Sequence, residues 1–167
     1  MVMERIEQEA AEGPDSAPSL DLLGNHANTL DAKRRVAIPK AFREQLADTE
    51  EFVLSRELGG DPCLALWPRA RFEARLRELE GLRAGGAGVG NKTVRAYLRM
   101  VRMSAERVKP DRQARISLTK EQCSLAGLDK GVVFVGAGDH LELWAEERLD
   151  SHEDEQDFGE LTRQLFG

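Results

Sequence analysis

Two short stretches carry the side chains best suited to chemistry: Leu30-Asp31-Ala32-Lys33-Arg34-Arg35-Val36-Ala37-Ile38-Pro39 and Lys109-Pro110-Asp111-Arg112-Gln113-Ala114-Arg115-Ile116-Ser117-Leu118. In both, an Asp stands four residues before an Arg that opens a run alternating apolar with small or polar residues. An Asp at the head of a turn accepts hydrogen bonds from the turn's own amides and stiffens it. Held beside the Arg, the same carboxylate orients the guanidinium through charge-assisted bonds. A stiffened β-ribbon tip carrying Lys33, Arg34 and Arg35 has the size and charge to enter the major groove of DNA. The plainer reading is that Asp and Arg bridge two interlocking halves of a core, and the two readings are compatible. Acid–base catalysis by the paired carboxylates is disfavoured, because an Arg near each Asp favours its anion.

The elements around these turns repeat as well. Residues 26–30 and 35–38 read as short strands on either side of the first turn, with Val36 and Ile38 on one face. Pro39 then opens a helix carrying Phe42 and Leu46, with Lys40 and Arg43 on another side. Strands follow at Phe52-Val53-Leu54 and at Cys63-Leu64-Ala65-Leu66-Trp67, separated by a turn-rich loop, and a helix from Pro68 places Phe72, Leu76 and Leu79 on one stripe. After the second turn, Thr119-Lys120-Glu121-Gln122 fits a capping box and Gly127 a helix stop. Strands at 132–135 and 141–144 lead into a terminal helix, so that Leu143-Trp144 falls in step with Leu66-Trp67, and Arg148 with Arg71. Between the units lie the linker 84–90 and a helix over 91–103. Its apolar stripe is Val94, Leu98 and Val101, and its basic stripe Arg95, Arg99 and Arg102.

The net charge of −6 alone argues against a nucleic-acid partner, but charge is segregated along the chain. Residues 1–21 and the segment from Glu142 to Glu160 are acidic, whereas 31–43 and 92–120 hold most of the Lys and Arg. Cys63 and Cys123 have no Cys-x-x-Cys spacing and no His at ligand spacing, so they predict neither a disulfide framework nor a zinc site. Both read as small buried hydrophobes in a reducing cytoplasm. No apolar run approaches the roughly 20 residues of a membrane span, and no cofactor is expected. Gly85-Gly86-Ala87-Gly88-Val89-Gly90-Asn91-Lys92-Thr93 imitates a phosphate-binding loop. Asn91 interrupts the required Gly-Lys contiguity, however, and the segment follows a helix rather than a strand, so a linker is preferred. His26, His140 and His152 have no nucleophile or carboxylate in an arrangement that the sequence can place, and an enzyme is not expected.

The chain resembles the MraZ family of bacterial transcriptional regulators, whose units belong to the swapped-hairpin superfamily of AbrB and MazE. The resemblance is carried by Gly24, Asp31 to Arg35 with Val36-Ala37-Ile38-Pro39 and Phe42-Arg43, and Leu66-Trp67-Pro68. The helix with Arg95 and Arg99, Asp111 to Arg115, and Leu141-Glu142-Leu143-Trp144 continue it in order. It implies an α+β fold of two pseudosymmetric swapped-hairpin β-barrel units with flanking helices. It further implies a cytoplasmic, nucleoid-associated protein that binds short direct repeats in double-stranded DNA upstream of the division and cell-wall gene cluster, commonly as a repressor. The family assembles into ring-like homo-oligomers.

By position, Arg35 and Arg115 take the family's DNA-contacting role, with Asp31 and Asp111 as their partners. Charge and position add Lys33, Arg34 and Arg112 as phosphate contacts. The family usually has Gly before the motif Arg, suited to positive φ; Arg34 and Ala114 stand there, and a turn of different shape is expected. The units are expected at 22–83 and 91–167, after a disordered acidic extension at 1–21. A competing reading is an antitoxin-type interaction module using the acidic segment from Glu142 to Glu160 to occupy a protein partner.

Overall fold

The computed structural model of the chain describes residues 19–84 and 90–167. Most of the extension expected at 1–21, and residues 85–89 of the expected linker, lie outside these. Eight strands and six helices are described: β1 Asn25–Thr29, β2 Arg35–Ala37, α1 Lys40–Gln45, β3 Phe52–Arg56, β4 Leu64–Pro68, α2 Arg69–Ala84, α3 Asn91–Ser104, β5 Glu106–Val108, β6 Arg115–Ser117, α4 Lys120–Ala126, β7 Gly131–Gly136, β8 Leu141–Trp144, α5 Glu146–Asp154 and α6 Phe158–Phe166. The fold class is α+β, with antiparallel pairing throughout the sheets.

The strands of the two repeats interleave. One sheet runs in the order β1-β7-β8-β4-β3-β5, and β2 pairs with β6 in a separate ribbon. Thus β1 of the first repeat pairs with β7 of the second, while β5 of the second pairs with β3 of the first. The registers obey one pseudo-twofold. Asn28 faces Val132 as Val108 faces Phe52, and at the centre Leu64 faces Leu143 and Leu66 faces Leu141, on either side of Ala65 and Glu142. The strands flanking a turn do not pair with each other: β1 and β2 lie in different sheets, as do β5 and β6. The turn itself closes locally, with Asp31 N–H donating to Arg35 C=O at 2.9 Å, but both flanking strands bond to the other repeat.

Both faces of the central strands are covered, which is why they read as continuous apolar runs rather than alternating ones. Leu54, Leu64 and Leu66 enter the main core with Phe42, Ile116, Phe134 and Leu143. Their neighbours Val53, Ala65 and Trp67 point the other way, against Phe72 and Leu76 of α2 and Val94, Leu98 and Val101 of α3. Burying each such Leu or Phe is worth about 1.5–3 kcal/mol. Cys63 and Cys123 are buried free thiols, both held neutral chiefly by burial.

Local signals behave as chemistry dictates. Thr119 Oγ1 accepts from Gln122 N–H while Gln122 Oε1 accepts from Thr119 N–H, and Gly127 ends α4 at φ 66°. Pro68 closes β4 opposite Phe52, so α2 starts at Arg69 rather than at the proline. The expected single terminal helix is two, because Asp157 caps a new start by accepting from Glu160 N–H.

Candidate nucleic-acid interface

The ribbon of β2 and β6 brings the two Asp-x-x-x-Arg turns together. Arg35 lies opposite Ser117, Ala37 opposite Arg115, and Val36 opposite Ile116 at the local twofold. Alternation along a strand sends Val36 and Ile116 inward, where both are buried, and leaves Arg35, Ala37, Arg115 and Ser117 on the opposite face. The ladder extends symmetrically into both turns, since Leu118 N–H donates to Arg34 C=O at 2.8 Å and Ile38 N–H to Ala114 C=O at 2.9 Å.

Each turn is built around its carboxylate. Asp31 Oδ1 accepts from the backbone N–H groups of Lys33 and Arg35, both at 2.9 Å, and Oδ2 accepts from Arg35 Nε at 2.9 Å. Asp111 repeats this with Gln113 N–H at 2.8 Å, Arg115 N–H at 3.0 Å and Arg115 Nε at 2.8 Å. Arg115 Nη1 also comes within 3.9 Å of Asp31 Oδ2, linking one turn to the other. The backbone hydrogen bond from the motif Arg is the largest influence on each Asp, and both carboxyls are held below the ordinary value. They are acceptors fixed as anions near neutral pH, the opposite of what a proton donor requires.

Arg34 has φ 58° and Ala114 φ 60°. The expectation of a differently shaped turn is corrected, because both residues adopt the left-handed conformation for which Gly is suited. The three hydrogen bonds to each Asp over-determine the turn and hold the side chain there against its steric preference.

The structure thus assembles Asp31, Arg35, Asp111 and Arg115 into one cluster. Lys33, Arg34 and Arg112 are exposed beside it, and Arg34 Nε also makes a long 3.4 Å bond to Leu118 C=O. Five cationic side chains against two carboxylates leave the pair of turns net positive in an acidic chain. Lys40 and Lys120, equivalent in the repeat, open the helices after β2 and β6 and are both exposed. Sequence reasoning placed Lys40 on a helix side but gave neither lysine a role; their matching offset from the motif Arg was the available signal.

A second polar cluster escaped the sequence reading, which found no carboxylate for His140. His140 is buried, its ring stacked on Trp67 at 4.0 Å between centroids. Nδ1 lies 2.8 Å from Asp139 Oδ1 and Nε2 lies 3.3 Å from Glu57 Oε2. Burial opposes the imidazolium, but the bonds to Glu57 and Asp139 outweigh it and push the pKa up. Burial likewise opposes the Glu57 anion, and the hydrogen bond to His140 reverses this, lowering its pKa. Glu142 is pushed up, chiefly by burial. It sits in β8 and is half-buried, so the acidic stretch from Glu142 to Glu160 is not a single solvated face.

No helix among the described residues is long and apolar enough to cross a membrane. Comparison with known proteins matches the family described as "MraZ protein, putative antitoxin-like" over residues 22–84 and again over 102–164. Among similar proteins, one from Saccharopolyspora erythraea named "Transcriptional regulator MraZ" is 39% identical over 137 residues, 80% of this chain and 90% of that protein. Proteins of the same name from Tropheryma whipplei and Corynebacterium diphtheriae are 37% and 38% identical, covering 86% and 73% of this chain and 96% and 79% of theirs. With the family matched in both repeats and such relatives spanning most of its length, this chain belongs to the MraZ family.

Proposed function

We propose that this chain is a sequence-specific, DNA-binding transcriptional regulator acting through the β2/β6 ribbon. The observation that carries this reading is the outward face bearing Arg35 and Arg115, each oriented by its own carboxylate and supported from below by buried Val36 and Ile116. A two-stranded ribbon fits the major groove, where an oriented guanidinium can donate two hydrogen bonds to a guanine edge. Lys33, Arg34 and Arg112 supply the salt-sensitive phosphate contacts. Because the two turns share one ribbon, both arginines address one short stretch of duplex.

The exchange of strands supports reading residues 22–83 and 91–167 as two repeated units of the swapped-hairpin, AbrB-like kind. One ribbon has little surface with which to hold DNA, so oligomerisation would help, and in the ring-like homo-oligomer that the family resemblance implies the subunits engage successive direct repeats at high effective concentration. Apolar surface open at Met100, Met103 and Leu125 is consistent with self-assembly. The target is the DNA upstream of the division and cell-wall gene cluster, the effect is repression, and the location is the cytoplasm, on the nucleoid.

The test is fluorescence anisotropy on DNA from upstream of the chain's own gene, against scrambled DNA, across a salt series, with Arg35→Ala and Arg115→Ala alongside. Loss of a base contact costs about 1–3 kcal/mol at one base position, whereas loss of a phosphate contact weakens all sequences alike. Equal or absent binding to both DNAs at moderate salt refutes the reading. A second reading, an antitoxin-type module that occupies a protein partner, is favoured by α6, where Phe158, Leu165 and Phe166 are exposed. Truncation before α6 that leaves DNA affinity intact but removes a co-purifying protein would favour it.

A further inference from the structure

We propose that Glu57, His140 and Glu142 form a binding site for a first-row divalent metal ion such as zinc, joining the loop after β3 to the start of β8. One ligand atom from each residue lies within 4.8 Å of the other two. Imidazole and carboxylate together suit zinc and its neighbours in the first transition row. The 3.3 Å between His140 Nε2 and Glu57 Oε2 matches the edge of roughly 3.3–3.5 Å expected between ligands of a tetrahedral zinc ion.

The surroundings of the three residues are those a metal site needs. Metal-binding imidazoles donate through the other ring nitrogen to a carboxylate or carbonyl, and ligating carboxylates are themselves hydrogen-bonded. His140 Nδ1 faces Asp139 Oδ1 at 2.8 Å, which turns Nε2 toward Glu57, and Trp67 fixes the plane of the ring. Trp144 Nε1 donates to Glu142 Oε1 at 3.1 Å, and Gly59 N–H donates to Glu57 Oε1 at 3.3 Å, leaving Oε2 toward the imidazole. Of the three, Glu57 also lines a cleft, with Asp61, Tyr97 and Met100.

The repeat supplies an internal control. The positions equivalent to Glu57, His140 and Glu142 in the other half are Ala137, Cys63 and Ala65. The equivalent strands pair there without carboxylate or imidazole, around a loop of 137–140 in place of 57–63, so the strand pairing alone does not require these three residues. Three protein ligands leave a fourth position for water or for a further donor.

The test uses the full chain, stripped with EDTA and titrated with Co²⁺ while tryptophan emission and visible absorption are followed. Both tryptophans of the chain touch the site, Trp67 through His140 and Trp144 through Glu142. Expected are saturable quenching at one ion per chain, competition by Zn²⁺, and a Tm rise of roughly 5–10 °C with Zn²⁺ at a hundredfold excess over its Kd. Asp139→Asn, at a half-buried position, weakens binding about tenfold or more, and Glu57→Gln with Glu142→Gln abolishes saturation. Absence of saturable quenching in the wild-type chain, or an unchanged titration in either variant with native far-UV circular dichroism, overturns the proposal.

Discussion

Ala114→Gly should stabilise this protein, a direction opposite to that of the same exchange almost anywhere in a helix or strand. Ala114 holds φ 60° in the second turn. The left-handed region costs a side-chain-bearing residue roughly 1–2 kcal/mol relative to Gly. Against this stands the greater freedom of Gly in the unfolded chain, about 0.4–1 kcal/mol. The difference is a gain of about 1 kcal/mol, or roughly 2–4 °C in Tm for a chain of this size. The exchange removes one methyl group and leaves all three acceptor bonds of Asp111 in place, so a change in Tm reports the backbone alone. The control is Ala41→Gly in α1, an exposed helical position, where the loss should be up to about 1 kcal/mol. Chemical and thermal denaturation of both variants beside the wild type gives the two signs. If Ala114→Gly is destabilising, the left-handed turn is wrong, and the arrangement of Asp111 and Arg115 built on it falls as well.

The acidic side of the stability profile should carry the two carboxylates. Asp31 and Asp111 titrate below their ordinary value of 3.8 in the folded chain. Their contribution is therefore fully present above that value and is lost as pH falls through the lower, folded one. A Tm series from pH 5 to pH 2 in which Asp31→Asn with Asp111→Asn retains the wild-type slope would refute this assignment. In α3, Leu98→Ala should cost about 2–5 kcal/mol because Leu98 is only 2% exposed in the outer core, whereas Arg99→Ala, next to it and exposed, should stay within about 0.5 kcal/mol. Gly136→Ala would drive a Cβ into the backbone of Leu22 and Leu23. It should cost about 1–3 kcal/mol, with faster hydrogen exchange at Leu22 and Gly138, whose amides and carbonyls bond each other.

What was legible in the sequence was local. Phe42 buried in α1, the reciprocal bonds of Thr119 and Gln122, Gly127 at the end of α4, and the buried Val94, Leu98 and Val101 of α3 all follow from spacing and side-chain chemistry. The pairing partners did not follow. The alternation of Arg35 to Ile38 sets which face is buried, yet says nothing about whether β2 bonds to the strand before it or to one 80 residues away. Turn shape was misread for a related reason. Rules of thumb assign positive φ to Gly, whereas at Arg34 and Ala114 the Asp acceptors outvote the side chain. His140 and Glu57 lie 83 residues apart, and their meeting depends on β4 and β8 pairing at the pseudo-twofold. Asp157 was hidden by its acidic neighbours, among which a capping carboxylate has no distinguishing mark.

The exchange of strands has a consequence for how the turns can work. Each Asp-x-x-x-Arg turn joins a strand inserted beside the other repeat to a strand in the shared ribbon. Both ends of each turn are therefore held by the opposite repeat, and the two turns form one surface rather than two. The frame of that surface is twofold, but its charges are not. The first turn offers Lys33 and Arg34 where the second has Gln113 and Ala114, and the second offers Arg112 where the first has Ala32. A reader with true twofold symmetry favours palindromic DNA, because equal half-sites satisfy equal arms. Unequal arms on a symmetric frame gain nothing from a palindrome and instead give the ribbon a direction along the duplex. On the proposed reading, such a surface suits sites repeated in one orientation, which a row of identical subunits can occupy in turn, in keeping with the direct repeats that the family resemblance implies.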